Sequence, residues 1–205
     1  MEYQELLDFL GIAERLKCAT RHAYTSSGRR ESVAEHSFRL AVMAWLLKDE
    51  FAELDMDRVL AMCLFHDFGE AFTGDIPTFE KTEENELTEA DAVRAMLDNL
   101  TEDLRARLEP LFAEMRQMRT PEARLYKAID KIEAVIQHDE GDIATWLPLE
   151  YDLQLNYGAE ECARRWRRAC AASCSVRRSS ARNCAKCPAK AASSPRRTMP
   201  AAPRG

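Results

Sequence analysis

No apolar stretch in the 205 residues approaches the roughly 18 residues of a membrane-spanning helix, so no helical span is expected. The N-terminal segment MEYQELLDFLGIAERL is acidic and amphipathic and lacks the pattern of a signal peptide, and the expected location is cytoplasmic. Convincing β-type alternation is missing, and so is any internal repeat. The seven cysteines do not form a secreted framework. Cys18, Cys63 and Cys162 fall in helical contexts, where a small buried thiol is the plain reading. Cys170, Cys174, Cys184 and Cys187 crowd the C-terminal segment, where Cys184-x-x-Cys187 is a weak zinc candidate.

Acid is absent from one part of the chain. From Arg164 onward there are 12 Lys and Arg and no Asp or Glu. Of 29 basic and 35 acidic residues, the preceding 163 therefore hold 17 and 35, a balance of -18. So acidic a body argues against broad nucleic-acid binding. A small phosphorylated substrate stays compatible, because a bound cation and one or two Arg can reverse the field locally. Large apolar residues are also scarce after Arg164, so residues 164–205 are read as a basic, low-complexity, disordered tail. Its abrupt onset after Gly158-Ala159-Glu160-Glu161 suggests an out-of-frame replacement of a final helix; the alternative is a basic tail that contacts an acidic partner. Residues 1–163 are read as one domain, long enough for a sizeable core.

What is present is helical periodicity. Residues 3–17 carry Leu6, Leu7, Leu10 and Leu16 among charges. Residues 32–50 put Val33, His36, Leu40, Ala44 and Leu47 on one face, with Ser32 and Glu35 forming a capping box. A helix over about 57–72 aligns Val59, Cys63, His66 and Glu70, and is broken by Gly74 and Pro77. Charged helices follow over 82–100 and from Thr101. Thr120-Pro121-Glu122 starts another, which carries Leu125, Ile129, Ile132, Val135 and Ile136, with Asp130 inside the pattern. Residues 139–156 are looser.

The informative feature is His66-Asp67 at the end of the apolar run Val59–Phe65. A carboxylate there is costly unless something positive meets it. His36 lies upstream and Asp130 downstream, so two imidazoles and two carboxylates from three helices could close around one cation. Each residue alone has a plainer reading: a core histidine, a helix-end aspartate, a solvated Asp130 with Lys131 and Glu133 close by in sequence. Together they carry more. His138 beside Asp139 reads as structural. Arg29-Arg30 reads first as a solvated loop pair and second as a phosphate contact. Trp45, Trp146 and Tyr151 read as core or rim aromatics.

Four segments in order resemble the HD-domain metal-dependent phosphohydrolases, and within them the 5′-deoxynucleotidase branch. They are Glu31-Ser32-Val33-Ala34-Glu35-His36-Ser37, His66-Asp67-Phe68-Gly69-Glu70, Thr73-Gly74-Asp75-Ile76-Pro77-Thr78 and Lys127-Ala128-Ile129-Asp130-Lys131. The resemblance covers roughly residues 5–163 and implies an all-α helical bundle. It implies that His36, His66, Asp67 and Asp130 hold the metal and that Glu70 assists the attacking water. It further implies that Asp75 is a second catalytic carboxylate near the sugar and phosphate, and that Arg21 holds the phosphate. His22 stands where the nearest relatives have an aromatic residue, a departure that bears on base stacking.

A mixed imidazole and carboxylate set suits one divalent transition metal, whether Mn, Co, Fe, Ni or Zn, better than Ca. Four histidines in all favour one metal over a dinuclear centre. The expected activity is hydrolysis of deoxynucleoside 5′-monophosphates to deoxynucleosides and phosphate. The expected partner is a small nucleotide, with no nucleic acid, no membrane and a homodimer left open. Two other readings stand beside it: another HD hydrolase acting on a phosphodiester or signalling nucleotide, and a catalytically disabled nucleotide or protein binder.

Overall fold

The caps read from the sequence start the two helices that matter most to the site. In the computed structural model, which describes residues 2–157, Ser32 and Glu35 form the expected reciprocal capping box at the head of α2 (Val33–Leu46). Thr120 accepts from the Ala123 N–H, with Pro121 in the first turn, at the head of α7 (Pro121–Glu140). The remaining helices are α1 (Tyr3–Cys18), α3 (Met56–Phe65), α4 (Glu70–Thr73), α5 (Glu83–Asp98), α6 (Glu102–Gln117) and α8 (Glu150–Asn156). Short 3₁₀ turns occupy Lys48–Phe51 and Ile143–Thr145. The expectations for residues 164–205, the disordered tail and the zinc candidate among them, lie outside the described residues, as does Cys162.

The centre of the molecule is a packed trio of α2, α3 and α7. Their apolar faces meet through Val33 and Leu40, through Val59, Met62 and Cys63, and through Ile129, all fully shielded from water. Removing that apolar surface from water is the main force holding the trio together. Leu16 of α1 joins the same core, and α5 and α6 extend it with Met96, Leu97, Leu104, Leu108, Leu111 and Met115. Trp146 and Tyr151 form a smaller cluster beside it. Among the described residues, no helix is long and apolar enough to cross a membrane.

Three expectations are corrected. First, the chain does contain strands: β1 (Thr20–Tyr24) and β2 (Arg30–Ser32) pair antiparallel, Thr20 opposite Ser32 and Tyr24 opposite Arg30, with an irregular register between. The hairpin turns through Gly28, whose φ of +83° suits glycine, and Thr25 N–H donates to Arg29 O at 2.8 Å. Its strands are only five and three residues long, and burial along β1 does not alternate. The period-2 signal is therefore missing from the sequence. Second, the helix expected over 57–72 is two. After Phe65 the chain tightens, Phe68 N–H reaching Phe65 O at 3.2 Å and Glu70 N–H reaching Asp67 O at 3.0 Å. Gly69 sits where α5 crosses: a Cβ there would lie 2.7 Å from the Glu89 Cγ and 3.2 Å from the Glu89 carbonyl oxygen. Third, Trp45 is 66 % exposed on α2, and Cys18 is exposed at the end of α1. α2 has one core-facing stripe, and Trp45 stands off it.

Candidate metal and phosphate site

His36 lies one turn into α2, His66 caps the C-terminal end of α3, Asp67 follows in the tight turn, and Asp130 sits midway along α7. The core trio thus brings all four together. His36 Nε2 lies 3.1 Å from Asp130 Oδ1 and 3.9 Å from Asp67 Oδ2. His66 Nε2 lies 3.0 Å from Asp67 Oδ2 and 3.8 Å from Asp130 Oδ1. Ligands about 2.0–2.2 Å from one cation stand roughly 2.8–3.6 Å apart, from right-angled to tetrahedral arrangements, so the two shorter spacings suit one ion and the two longer ones lie a few tenths of an ångström beyond. The carbonyl end of α3 adds partial negative charge that favours a cation.

Both imidazoles are oriented from behind. His36 Nδ1 is held by the completely buried Glu133, and His66 Nδ1 lies 3.0 Å from the Cys63 carbonyl oxygen. With each Nδ1 engaged, each Nε2 faces the cluster, the usual support for a metal-binding histidine. His66 Nε2 is buried and has no well-aligned hydrogen-bond partner. An orphaned acceptor aimed at two carboxylates fits a cation. Lys127 Nζ takes Asp130 Oδ2 at 2.7 Å and leaves Oδ1 for the histidines.

The carboxylates and imidazoles of the cluster shift one another's ionisation. Burial opposes ionisation of Asp67, yet His66 and His36 hold it below the usual carboxylate range. Burial likewise opposes Asp130, which Lys127 and His36 hold well down. For His36, burial and Arg21 disfavour the charged ring, but Asp130 and Glu133 outweigh them and push it up to about 9. Glu70 behaves oppositely: burial first, then the charges of Asp67 and Asp75, push it up to about 10. Asp75 is raised chiefly by burial.

One cavity of about 170 Å³ is lined by Asp67, Asp130, Glu70 and Asp75 together with Arg21; His36 and His66 stand behind the two aspartates. Arg21 projects from β1, its Nε 3.3 Å from Glu31 Oε2 and its Nη1 3.6 Å from Asp67 Oδ2. Burial opposes its charge, but Asp67, Asp75 and Glu31 raise it above the ordinary arginine value, so it stays a fixed cation at the cavity wall. Lys81 and Lys127 also line the cavity. Arg29 does not: it forks onto Glu35 at the surface, in line with the solvated reading. His22 lines the cavity with its ring edge-on to Phe79, centroids 5.5 Å apart. His138, read as structural, also reaches the cavity wall.

Sequence reasoning gave no role to Glu133, Glu31 or Lys127. Glu133 and Glu31 are buried almost completely, and burial with Glu133 nearby pushes Glu31 up to about 7. A signal existed for two of them. Lys127, Asp130 and Glu133 recur every third residue along α7 and so share one face. Asp130, whose plain reading was solvated, is only 8 % exposed.

Comparisons with known proteins agree with this geometry. The HD domain family matches residues 13–168. A human protein named 5′-deoxynucleotidase HDDC2 is 35% identical over 141 residues, covering 67% of this chain and 68% of its own length. The 5′-deoxynucleotidase hdd1 of Schizosaccharomyces pombe is 31% identical over 140 residues, covering 64% of this chain and 70% of its own. Among solved structures, a predicted metal-dependent phosphohydrolase from Magnetospirillum magnetotacticum MS-1 superposes with a TM-score of 0.71 at 25% identity, over 87% of this chain and 95% of that one. A conserved hypothetical protein from Pyrococcus furiosus gives 0.59 at 28% identity, over 84% and 99%. Fold, match and motif order converge over most of the sequence, and the chain belongs to the HD domain family.

Proposed function

We propose that the protein is a metal-dependent phosphomonoesterase that hydrolyses deoxynucleoside 5′-monophosphates to deoxynucleosides and phosphate. The observation that carries this reading is the meeting of Asp67 and Asp130, each held against His36 and His66, with Arg21, Glu70 and Asp75 on the wall of one cavity. The names of the curated relatives support the substrate class.

His36, His66, Asp67 and Asp130 would hold one divalent transition metal, whose chemistry is to polarise the phosphoryl group and acidify a water molecule. Arg21 grips the phosphate, since a guanidinium offers two parallel donors to its oxygens. Glu70, one turn past His66, takes the proton of the attacking water. With the charge of Asp67 compensated, one of the forces that keeps Glu70 protonated falls away. Water oxygen bonds to phosphorus, the P–O5′ bond breaks, and the 5′ oxygen leaves with a proton. Asp75, raised by burial and set across from Arg21, stands near the sugar and can supply that proton. A carboxylate packed against the 2′ position also leaves little room for a hydroxyl.

The catalytic unit in this reading is residues 1–163, and the partner is a small nucleotide with neither nucleic acid nor membrane. We assign the reaction to the cytoplasm, a reading that the unpaired Cys18 and Cys63 support; a homodimer is open to sedimentation. The test is phosphate release from a panel of nucleotides, with and without added Mn²⁺, Co²⁺ or Mg²⁺. Release from deoxynucleoside 5′-monophosphates that needs a metal is expected. No release with any metal would overturn the proposal.

A further inference from the structure

The cavity lined by Asp67 and Asp130 is lined also by a second group of polar side chains. Glu150, in the first turn of α8, is buried. Its Oε2 accepts from the Leu147 N–H at 2.6 Å, which fixes the carboxylate. Its Oε1 faces two imidazoles, His22 Nε2 at 3.1 Å and His138 Nε2 at 3.6 Å. Both ring nitrogens are shielded from water, and neither has a well-aligned hydrogen-bond partner. Each ring is also pinned by an aromatic neighbour. His22 meets Phe79 edge-on, and His138 lies against Trp146 with centroids 4.4 Å apart. Polar atoms this dry and this firmly held, yet poorly paired, are costly unless something else completes their hydrogen bonds.

All three side chains line the same cavity as Arg21 and Asp75, and among its other walls are the apolar Val135, Leu153 and Pro77. Arg21 and His22, neighbours in β1, both line the cavity, so a ligand whose phosphate meets Arg21 can extend to His22. The group offers one fixed acceptor, Glu150 Oε1, flanked by ring nitrogens able to donate. That pattern matches the hydrogen-bonding edge of a nucleobase, where an N–H stands next to a carbonyl oxygen or bare ring nitrogen. We propose that His22, Glu150 and His138 form a subsite that reads the nucleobase edge, with Glu150 accepting from a base N–H and an imidazole N–H donating beside it. The subsite rests on the nucleotide reading above.

The test is the ratio of kcat/KM for dAMP, dCMP, dGMP and dTMP to that for deoxyribose 5-phosphate, which has no base, in protein supplied with Mn²⁺. Glu150→Gln keeps an oxygen for the Leu147 N–H, so α8 stays capped. His22→Gln probes the same subsite from β1, independently of α8. In each variant the ratio for at least one nucleotide should fall about tenfold, the loss expected for a charge-assisted hydrogen bond, and it should appear mainly in KM. A ratio unchanged for all four bases in a folded variant, or an equal loss for nucleotides and deoxyribose 5-phosphate, would overturn the subsite and leave the phosphatase standing. A wild type that releases no phosphate from any of the five would overturn both.

Discussion

Asp67 and Glu70 are three residues apart and have opposite tasks in the proposed mechanism, which makes them the sharpest pair to separate. Asp67 faces both imidazoles and is held ionised by them. Asp67→Ala should lose the metal and the activity with helical content preserved, as read by elemental analysis beside circular dichroism. Stoichiometric metal in that variant would remove Asp67 from the ligand set. Glu70 is not needed as a ligand. Glu70→Ala should therefore keep the metal while kcat falls by roughly 10²–10⁴ if the side chain handles a proton; unchanged turnover would exclude it from the mechanism. Residues of this kind are legible in sequence because their chemistry is rare at the end of an apolar run. Glu133 and Glu31 are not, because a lone glutamate in a helix or strand looks solvated until packing shows otherwise. Glu133 holds His36 from a position that only the meeting of α2 and α7 creates.

Helix starts were read accurately because a cap is a local device. The Ser32–Glu35 box and the Thr120-Pro121 start lie where their side chains can reach the first free N–H groups. The hairpin and the break after Phe65 were not legible, since both depend on partners distant in sequence. The break lets α5 pass close to Gly69, and β1 carries Arg21 against Glu31 of β2. The capping box has a pH signature. The hydrogen bond to Arg29, then the bonds to Ser32, lower Glu35 to about 2. The folded value is depressed, so the stability Glu35 contributes is full above its ordinary pKa near 4.3 and fades as pH falls toward 2. Glu35→Ala should cost about 0.3–1.5 kcal/mol near neutral pH. The gap in unfolding midpoint between wild type and variant should narrow as pH falls through that window. A gap constant with pH would mean that the lost stability is not electrostatic.

For the molecule as a whole, the body is acidic, and among the described residues Arg21, Lys81 and Lys127 bring positive charge to the cavity wall, which suits the phosphate of the proposed substrate. The family match runs to residue 168, just past the composition break at Arg164. If residues 1–163 are the catalytic unit, a chain ending at Ala163 should keep its unfolding midpoint and its kcat/KM within about twofold, well under the tenfold that 1.4 kcal/mol represents. Loss of either would show that the following residues contribute to the fold or the site. The central claim, a phosphatase that demands both a 5′-phosphate and a deoxyribose, is tested most directly by one comparison. Metal-supplied protein is given dAMP, AMP and 3′-dAMP at equal concentration, and phosphate release is timed. The account predicts rapid release from dAMP and slow release from the other two; equal rates from dAMP and AMP would contradict it.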